Sequence, residues 1–118
     1  MSLPQFSKLQ TSEEREALFG QARKASELLK ALSHEDRLLI LCLLVEGEKS
    51  VSELEHTMGL AQAAVSQQLA RLRFDRLVTT RRDGRVIYYS LASEKVAPVI
   101  GTLYDLFCAP VRNGGKEP

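Results

Sequence analysis

Several things are scarce in this chain, and each scarcity excludes something. There are two cysteines, Cys42 and Cys108, separated by 66 positions. That spacing excludes a Cys-x-x-Cys redox motif and a zinc knuckle. There are two histidines, His34 and His56, and neither shares a metal-ligand spacing with the other or with a cysteine. Both read as surface or capping residues rather than metal ligands. No apolar run approaches the ~18 residues of a membrane span. The longest, LLILCLLV from Leu38 to Val45, suits a buried helix. The opening MSLPQFSKLQ lacks the apolar stretch of a secretory signal, so a cytoplasmic location is expected. A phosphate-binding glycine loop, a Ser/Cys–His constellation and a facing carboxylate pair are all missing, which argues against an enzyme and calls for no cofactor.

The most telling shortage is local. From Ala61 to Arg73 the sequence reads AQAAVSQQLARLR, without one carboxylate. Val65, Leu69 and Leu72 fall on one helical stripe, leaving Gln62, Ser66 and Gln67 on the other side. An ordinary solvated helix face mixes Glu with Lys. This one offers amides, a hydroxyl and small side chains, followed only by arginines. The charge along the chain agrees: residues 11–60 carry a net −4, whereas residues 61–90 carry six arginines against two aspartates. A basic segment in a chain of net charge +1 is a candidate polyanion-binding surface.

The 118 residues suit one domain. Thr11–Glu14 (TSEE) has the form of a capping box and opens a long helix with Ala17, Leu18, Ala22, Ala25, Leu28, Leu29 and Leu32 at 3–4 spacing. Ser33 can cap a second helix carrying LLILCLLV, apolar on nearly all sides and so expected at the centre of the core. Ser50–Glu53 (SVSE) repeats the box before a short helix that ends near Gly59. The acid-free helix follows within a few residues, and the pair reads as helix–turn–helix. Then VTTRRDGRVIYYSL predicts a β-hairpin turning at Asp83-Gly84. Ser93 opens a last helix with Val96, Ile100, Leu103 and Phe107 on one stripe, and Pro98 in its first turns. Residues 1–10 read as a flexible N-terminus, 11–108 as the folded domain and 109–118 as a disordered tail.

The order α-α-α-α-β-β-α is that of a mainly helical winged helix–turn–helix. Its second short helix would lie in a major groove of double-stranded DNA, where Gln, Ser and Arg meet base edges and phosphates. Arg81, Arg82 and Arg85, beside the hairpin tip, would reach a neighbouring phosphate or minor groove.

In the segments ALSHEDRLLILCLL, SVSELEHTMGLAQAAVSQQLARLRFDRLV and RRDGRVIYYSL the chain resembles the ArsR/SmtB family of bacterial repressors, over roughly residues 15–108. The resemblance implies a homodimer, joined through the first and last helices, that binds operator DNA and releases it on a signal. It assigns Gln62, Ala63, Ser66 and Gln67 to DNA-facing positions. Gln67 stands where a histidine is frequent, and Ala63 where a serine is. Gln68 is open to either DNA contact or helix packing. The family's Cys-x-Cys metal pair corresponds here to Ser50 and Ser52, which suit thiophilic ions poorly. The last helix carries no histidine, only Glu94 and Asp105.

Read without the resemblance, Cys42 is a small buried hydrophobe and Cys108 an incidental residue near a helix end. The resemblance is closest to the BigR/SqrR-like branch, which has cysteines in the second and last helices and responds to persulfides. It therefore implies that Cys42 and Cys108 form a redox-sensing pair, linked by a di- or polysulfide when DNA is released. Cys108 is expected to react first, because Cys42 looks too buried, and Tyr104 to line their pocket. Peroxide or a thiophilic metal as the signal, or a constitutive DNA-architectural protein with structural cysteines, are the alternatives.

Overall fold

In the computed structural model, residues 10–92, 94–112 and 114 are described. The expected flexible segment before residue 10, the helix opening at Ser93 and the end of the expected tail lie outside them. The elements run α1 (Ser12–Leu32), α2 (Glu35–Val45), β1 (Lys49–Ser50), α3 (Val51–Met58), α4 (Gln62–Phe74), β2 (Val78–Asp83), β3 (Val86–Leu91) and α5 (Val96–Leu103). A π-helical turn, Tyr104–Cys108, carries α5 on into a short α6 (Ala109–Arg112).

The helix starts follow local chemistry. Thr11 accepts a hydrogen bond from the Glu14 backbone N–H at 3.0 Å. Ser50 and Glu53 form a complete reciprocal box at α3. At α2 the cap is His34, one residue beyond the expected Ser33. Its Nδ1 accepts from the Asp36 N–H at 3.2 Å, while the Ser33 hydroxyl donates back to the Lys30 carbonyl at 2.7 Å and closes α1. Gly59 ends α3 in the left-handed region, φ 67°, where glycine meets no Cβ penalty.

The core is built on α2, as its apolar run requires. Ile40 and Leu41 are fully buried together with Leu54, Val65, Leu69, Leu72 and Ile100. The expected stripe of α4 thus faces inward. The hairpin pairs Val78 with Leu91 through to Asp83 with Val86. Its two-residue loop is therefore Gly84–Arg85, one position later than the Asp-Gly pair suggests. Only Gly84 takes a positive φ, 64°, as a type II′ connection requires. A third strand, absent from the expected order, adds to it: β1 pairs antiparallel with β3, giving the order β1-β3-β2. Two residues are too few to carry a period, so only pairing reveals that strand.

Two further features concern the ends of the molecule: an α1 stripe that so short a chain is not expected to bury alone, and a departure in the last helix. The stripe of the first helix is mostly uncovered: only Ala31 and Leu32 of α1 are buried, and Phe19 and Leu29 are about two-thirds exposed. The last helix does not stop at residue 108 but runs on to Arg112, so the expected disordered tail is helical over its first four residues. The π turn also breaks the expected stripe. Tyr104 is buried where Phe107 was expected, and Phe107 is turned out to solvent. Pro110 supplies a physical reason. It has no N–H and its ring crowds the carbonyl four residues earlier, and the wide turn ahead of it, closed by the Ala109 N–H on the Tyr104 carbonyl, relieves both.

Candidate DNA-reading face and thiol pocket

Two places in this fold carry chemistry. The first is the outer face of α4. Gln62, Ala63, Ser66 and Gln67 are all exposed on it, because burying Val65, Leu69 and Leu72 turns the opposite side outward. The helix begins at Ala61, which makes no side-chain cap. Its first N–H groups are left open, the arrangement that favours an anion. The first turn holds no acid and the last holds Arg71 and Arg73.

Gln68 is set apart from its neighbours. It is half-buried, and its Oε1 accepts from Arg37 Nη1 at 3.3 Å. The same guanidinium donates to the Ala31 carbonyl at 2.8 Å and the Lys30 carbonyl at 3.5 Å, both in the last turn of α1.

The wing shows a similar division. Arg81 on β2 reaches across Tyr88 of the central strand, its guanidinium carbon 4.7 Å from the ring centre. It then meets Glu48 ahead of β1, with Nε donating to Oε2 at 3.1 Å and Nη2 to Oε1. The hydrogen bond holds the Glu48 carboxyl below the usual carboxylate range and raises Arg81 further. Of the three wing arginines expected near phosphate, Arg81 is the one paired, bridging β2 to the segment ahead of β1, and it stays half exposed. Arg82 and Arg85 are exposed, and among the described residues neither forms an ion pair.

The second place is a cavity of about 280 Å³ between α2 and the end of the last helix. It is lined by Glu35, Leu38, Leu39, Cys42, Leu103, Phe107 and Cys108. Both cysteines are free thiols, Cys42 buried and Cys108 half-buried. Burial, first, and then a hydrogen bond and charge interaction with Cys108 push the Cys42 thiol up to about 12. Cys42 is thus a protonated thiol at neutral pH, and Cys108 lines the same pocket. Tyr104, expected to line this pocket, does not. Its hydroxyl instead lies 3.3 Å from Glu46 Oε2 and accepts from Arg112 Nη1 at 3.0 Å, and Arg112 Nε meets the same Glu46 oxygen at 3.0 Å. This clasp ties Tyr104, at the start of the π turn, and Arg112, in α6 beyond it, to Glu46 at the C-terminal cap of α2, and so flanks the segment that carries Cys108. Sequence reading missed Arg37, Glu46 and Arg112. Each acts on a partner distant in the chain, and no local pattern signals such pairings.

Among the described residues, no group of three or more His, Cys, Asp or Glu stands close enough to hold a metal ion. Among the same residues, no helix is long and apolar enough to cross a membrane.

Comparison with known proteins agrees with this architecture. Residues 34–80 match the family model described as "Bacterial regulatory protein, arsR family". The chain is 46% identical over 95 residues to the biofilm growth-associated repressor of Xylella fastidiosa, covering 80% of this chain and 83% of that one. It is 47% identical over 85 residues to the transcriptional activator HlyU of Vibrio cholerae, covering 72% and 79%. Among solved structures, the repressor BigR from Xylella fastidiosa superposes with a TM-score of 0.76 at 46% identity, over 80% of this chain and 94% of that one. Reduced HlyU from Vibrio cholerae gives 0.75 at 43%, over 79% and 98%. With this family match, these identities and these superpositions over most of its length, the chain belongs to the ArsR family and is a winged-helix DNA-binding transcriptional repressor, not an enzyme.

Proposed function

We propose that this repressor is a cytoplasmic dithiol sensor of reactive sulfur. It holds operator DNA as a reduced homodimer and lets go when Cys42 and Cys108 become linked. The observation that carries this reading is the shared apolar cavity: two thiols 66 positions apart line one small pocket. Burial alone accounts for one cysteine, but not for the second beside it.

Cys108, the more accessible, reacts first. Its thiolate attacks the outer sulfur of a persulfide RS–SH; the S–S bond breaks, RS⁻ leaves, and Cys108 carries Sγ–SH. Cys42 then attacks that Sγ, and hydrosulfide departs with the Cys42 proton as H₂S. Two thiols are oxidised to a disulfide while one sulfane sulfur is reduced to sulfide. If a second persulfide first extends the chain to Sγ–S–SH, attack on the middle sulfur expels H₂S and leaves a trisulfide. The longer bridge spans a wider gap than the ~4.4–6.8 Å between Cα atoms that a disulfide tolerates.

DNA recognition is assigned to Gln62, Ala63, Ser66 and Gln67 in the major groove, with Arg82 and Arg85 on adjacent phosphate. Dimerisation is assigned to α1 and the last helix, whose exposed Phe19, Leu29, Leu106 and Val111 favour a second copy as cover. Two-fold symmetry would set the two α4 helices about 34–36 Å apart. A link between α2 and the last helix changes that spacing, and a tenfold loss of affinity needs only ~1.4 kcal/mol.

The test is a gel shift on a duplex that the reduced protein selects from a random pool, with and without an organic persulfide, alongside mass spectrometry of both cysteines. Release should track formation of the Cys42–Cys108 link, and Cys42→Ser and Cys108→Ser should abolish it. Unchanged binding after complete cross-linking would overturn the proposal.

A further inference from the structure

We infer that Arg37 is a positioning residue for the recognition helix and that Gln68, on that helix, is its handle rather than a reader of bases. The inference rests on α4 being the helix that enters the groove, and it goes beyond the assignment of the exposed face.

The geometry is that of a three-way tie. Arg37 stands in the first turn of α2. Its Nε and Nη2 take the carbonyls of Ala31 and Lys30, in the last turn of α1. Carbonyls there lack the regular donor four residues on and sit at the negative end of the helix dipole, which suits a cation. The Lys30 carbonyl is shared with the Ser33 N–H and hydroxyl, so Ala31 is the main anchor. Its Nη1 takes Gln68 Oε1. A guanidinium fixes several donors in one plane. Holding two carbonyls of α1 therefore fixes where the third acceptor must be, and that acceptor belongs to α4. No other side-chain hydrogen bond among the described residues joins α4 to α2 or to α1. The apolar stripe of Val65, Leu69 and Leu72 keeps α4 on the core but is non-directional. It leaves room for the helix to roll or slide. The tie removes that freedom.

The chemistry also limits what Gln68 can do at DNA. Arg37 can only donate, so the Gln68 carbonyl is the atom it holds, and only the amide N–H groups remain. Bidentate reading of adenine needs both the amide oxygen and nitrogen. A Gln68 whose oxygen is committed inward cannot supply it. Gln62 and Gln67, exposed on the same helix, keep both atoms free.

The experiment uses the full reduced protein and two duplexes: one that it selects from a random pool, and one of scrambled sequence. Affinity, its salt dependence and the preferred base at each position are measured for Arg37→Lys, Arg37→Ala, Gln68→Leu, Gln68→Glu and the Arg37→Ala/Gln68→Leu double variant. Thermal melting identifies any variant that is not folded, and the mild Arg37→Lys keeps the test alive if Arg37→Ala is lost. Arg37→Ala and Gln68→Leu should each lower affinity for the selected duplex about tenfold, leaving scrambled-duplex affinity and the salt slope unchanged. The double variant should be no worse than either single one. Gln68→Glu, which keeps the acceptor, should stay within about threefold of the parent despite bringing an acid to the helix. Additive losses in the double variant would overturn the inference. So would a Gln68→Glu protein as weak as Gln68→Leu with an altered base preference at one position, since that would make Gln68 a reader. Full selectivity in Gln62→Ala/Gln67→Ala would instead reject α4 as the groove helix, and the inference with it.

Discussion

The α4 face and the thiol pocket are opposites in physical character. One is open, polar and uncapped, with side chains whose hydrogen-bonding groups are free. The other is small and apolar, and its chemistry resides in the two sulfurs that line it. A groove reader must present unsatisfied groups to solvent, because DNA will satisfy them. A sulfur sensor that relies on two thiols must do the reverse and shield one of them, so that chemistry begins at the other. The same α2 serves both, with Cys42 in the pocket and Arg37 tied to α4. The proposed sensing and reading parts of the molecule thus share a frame although they share no chemistry.

The sharpest way to break this contrast is through the thiols themselves. With Cys42 pushed up to about 12 from an ordinary 9.0, its thiolate population below pH 9 is about a thousandfold smaller than that of an unshifted thiol. Alkylation followed by mass spectrometry at pH 8 should therefore find Cys108 modified well before Cys42. Equal rates would remove the distinction between shielded and reacting sulfur. The sign for stability follows. A raised thiol pKa favours the neutral form in the folded state, so its contribution is complete below pH 9 and is lost as pH rises from 9 towards 12.

Next in size is the uncovered side of α1. Phe19→Lys/Leu29→Lys should leave the subunit folded, since neither residue lies in the core. It should abolish dimerisation in sedimentation and lower affinity for a two-half-site duplex by about a hundredfold, the scale on which joined binding sites reinforce each other. A variant that still binds as tightly would show that the reading face works without symmetry.

On the face itself, Gln67→Ala should cost about 1–3 kcal/mol on the selected duplex and little on a scrambled one, measured by fluorescence anisotropy. The smallest effects belong to the wing. Arg82→Ala and Arg85→Ala should each reduce the salt slope by about one. Arg81→Ala, already paired with Glu48, should reduce it less. An equal slope change for all three would mean that the Glu48 staple opens on DNA.

How much of this was legible beforehand varies with the range of the interactions involved. The buried stripe of α4, the capping box at Ser50 and the apolar α2 each depend on neighbours within a turn or two, and their spacing announces them. The hairpin was legible from its Gly84, though the loop sits one residue later. The partial cover of α1 was legible only as a stripe that so short a chain cannot easily bury alone. An amphipathic stripe declares that something must bury it, without saying whether that is the same chain. The three arginines of the wing looked alike in sequence. Strand pairing made one a staple by setting it across Tyr88 from Glu48. Gln67 and Gln68 are neighbours of the same type, yet Arg37 claims one of them and leaves the other free.

What the chain dictated on its own was therefore periodic and local: which faces are apolar, where helices begin, and that one helix carries no acid. Those features follow from backbone geometry and the aversion of apolar groups to water, and they need no knowledge of what lies far along the chain. Bringing Cys108 over Cys42 was left to the folded molecule. It required α5 to pack on α2, a wide turn ahead of Pro110, and the Glu46–Tyr104–Arg112 clasp that flanks the Cys108 segment. None of these contacts exists until segments some 60 residues apart have met, and so no spacing in the sequence could encode the meeting of the two sulfurs.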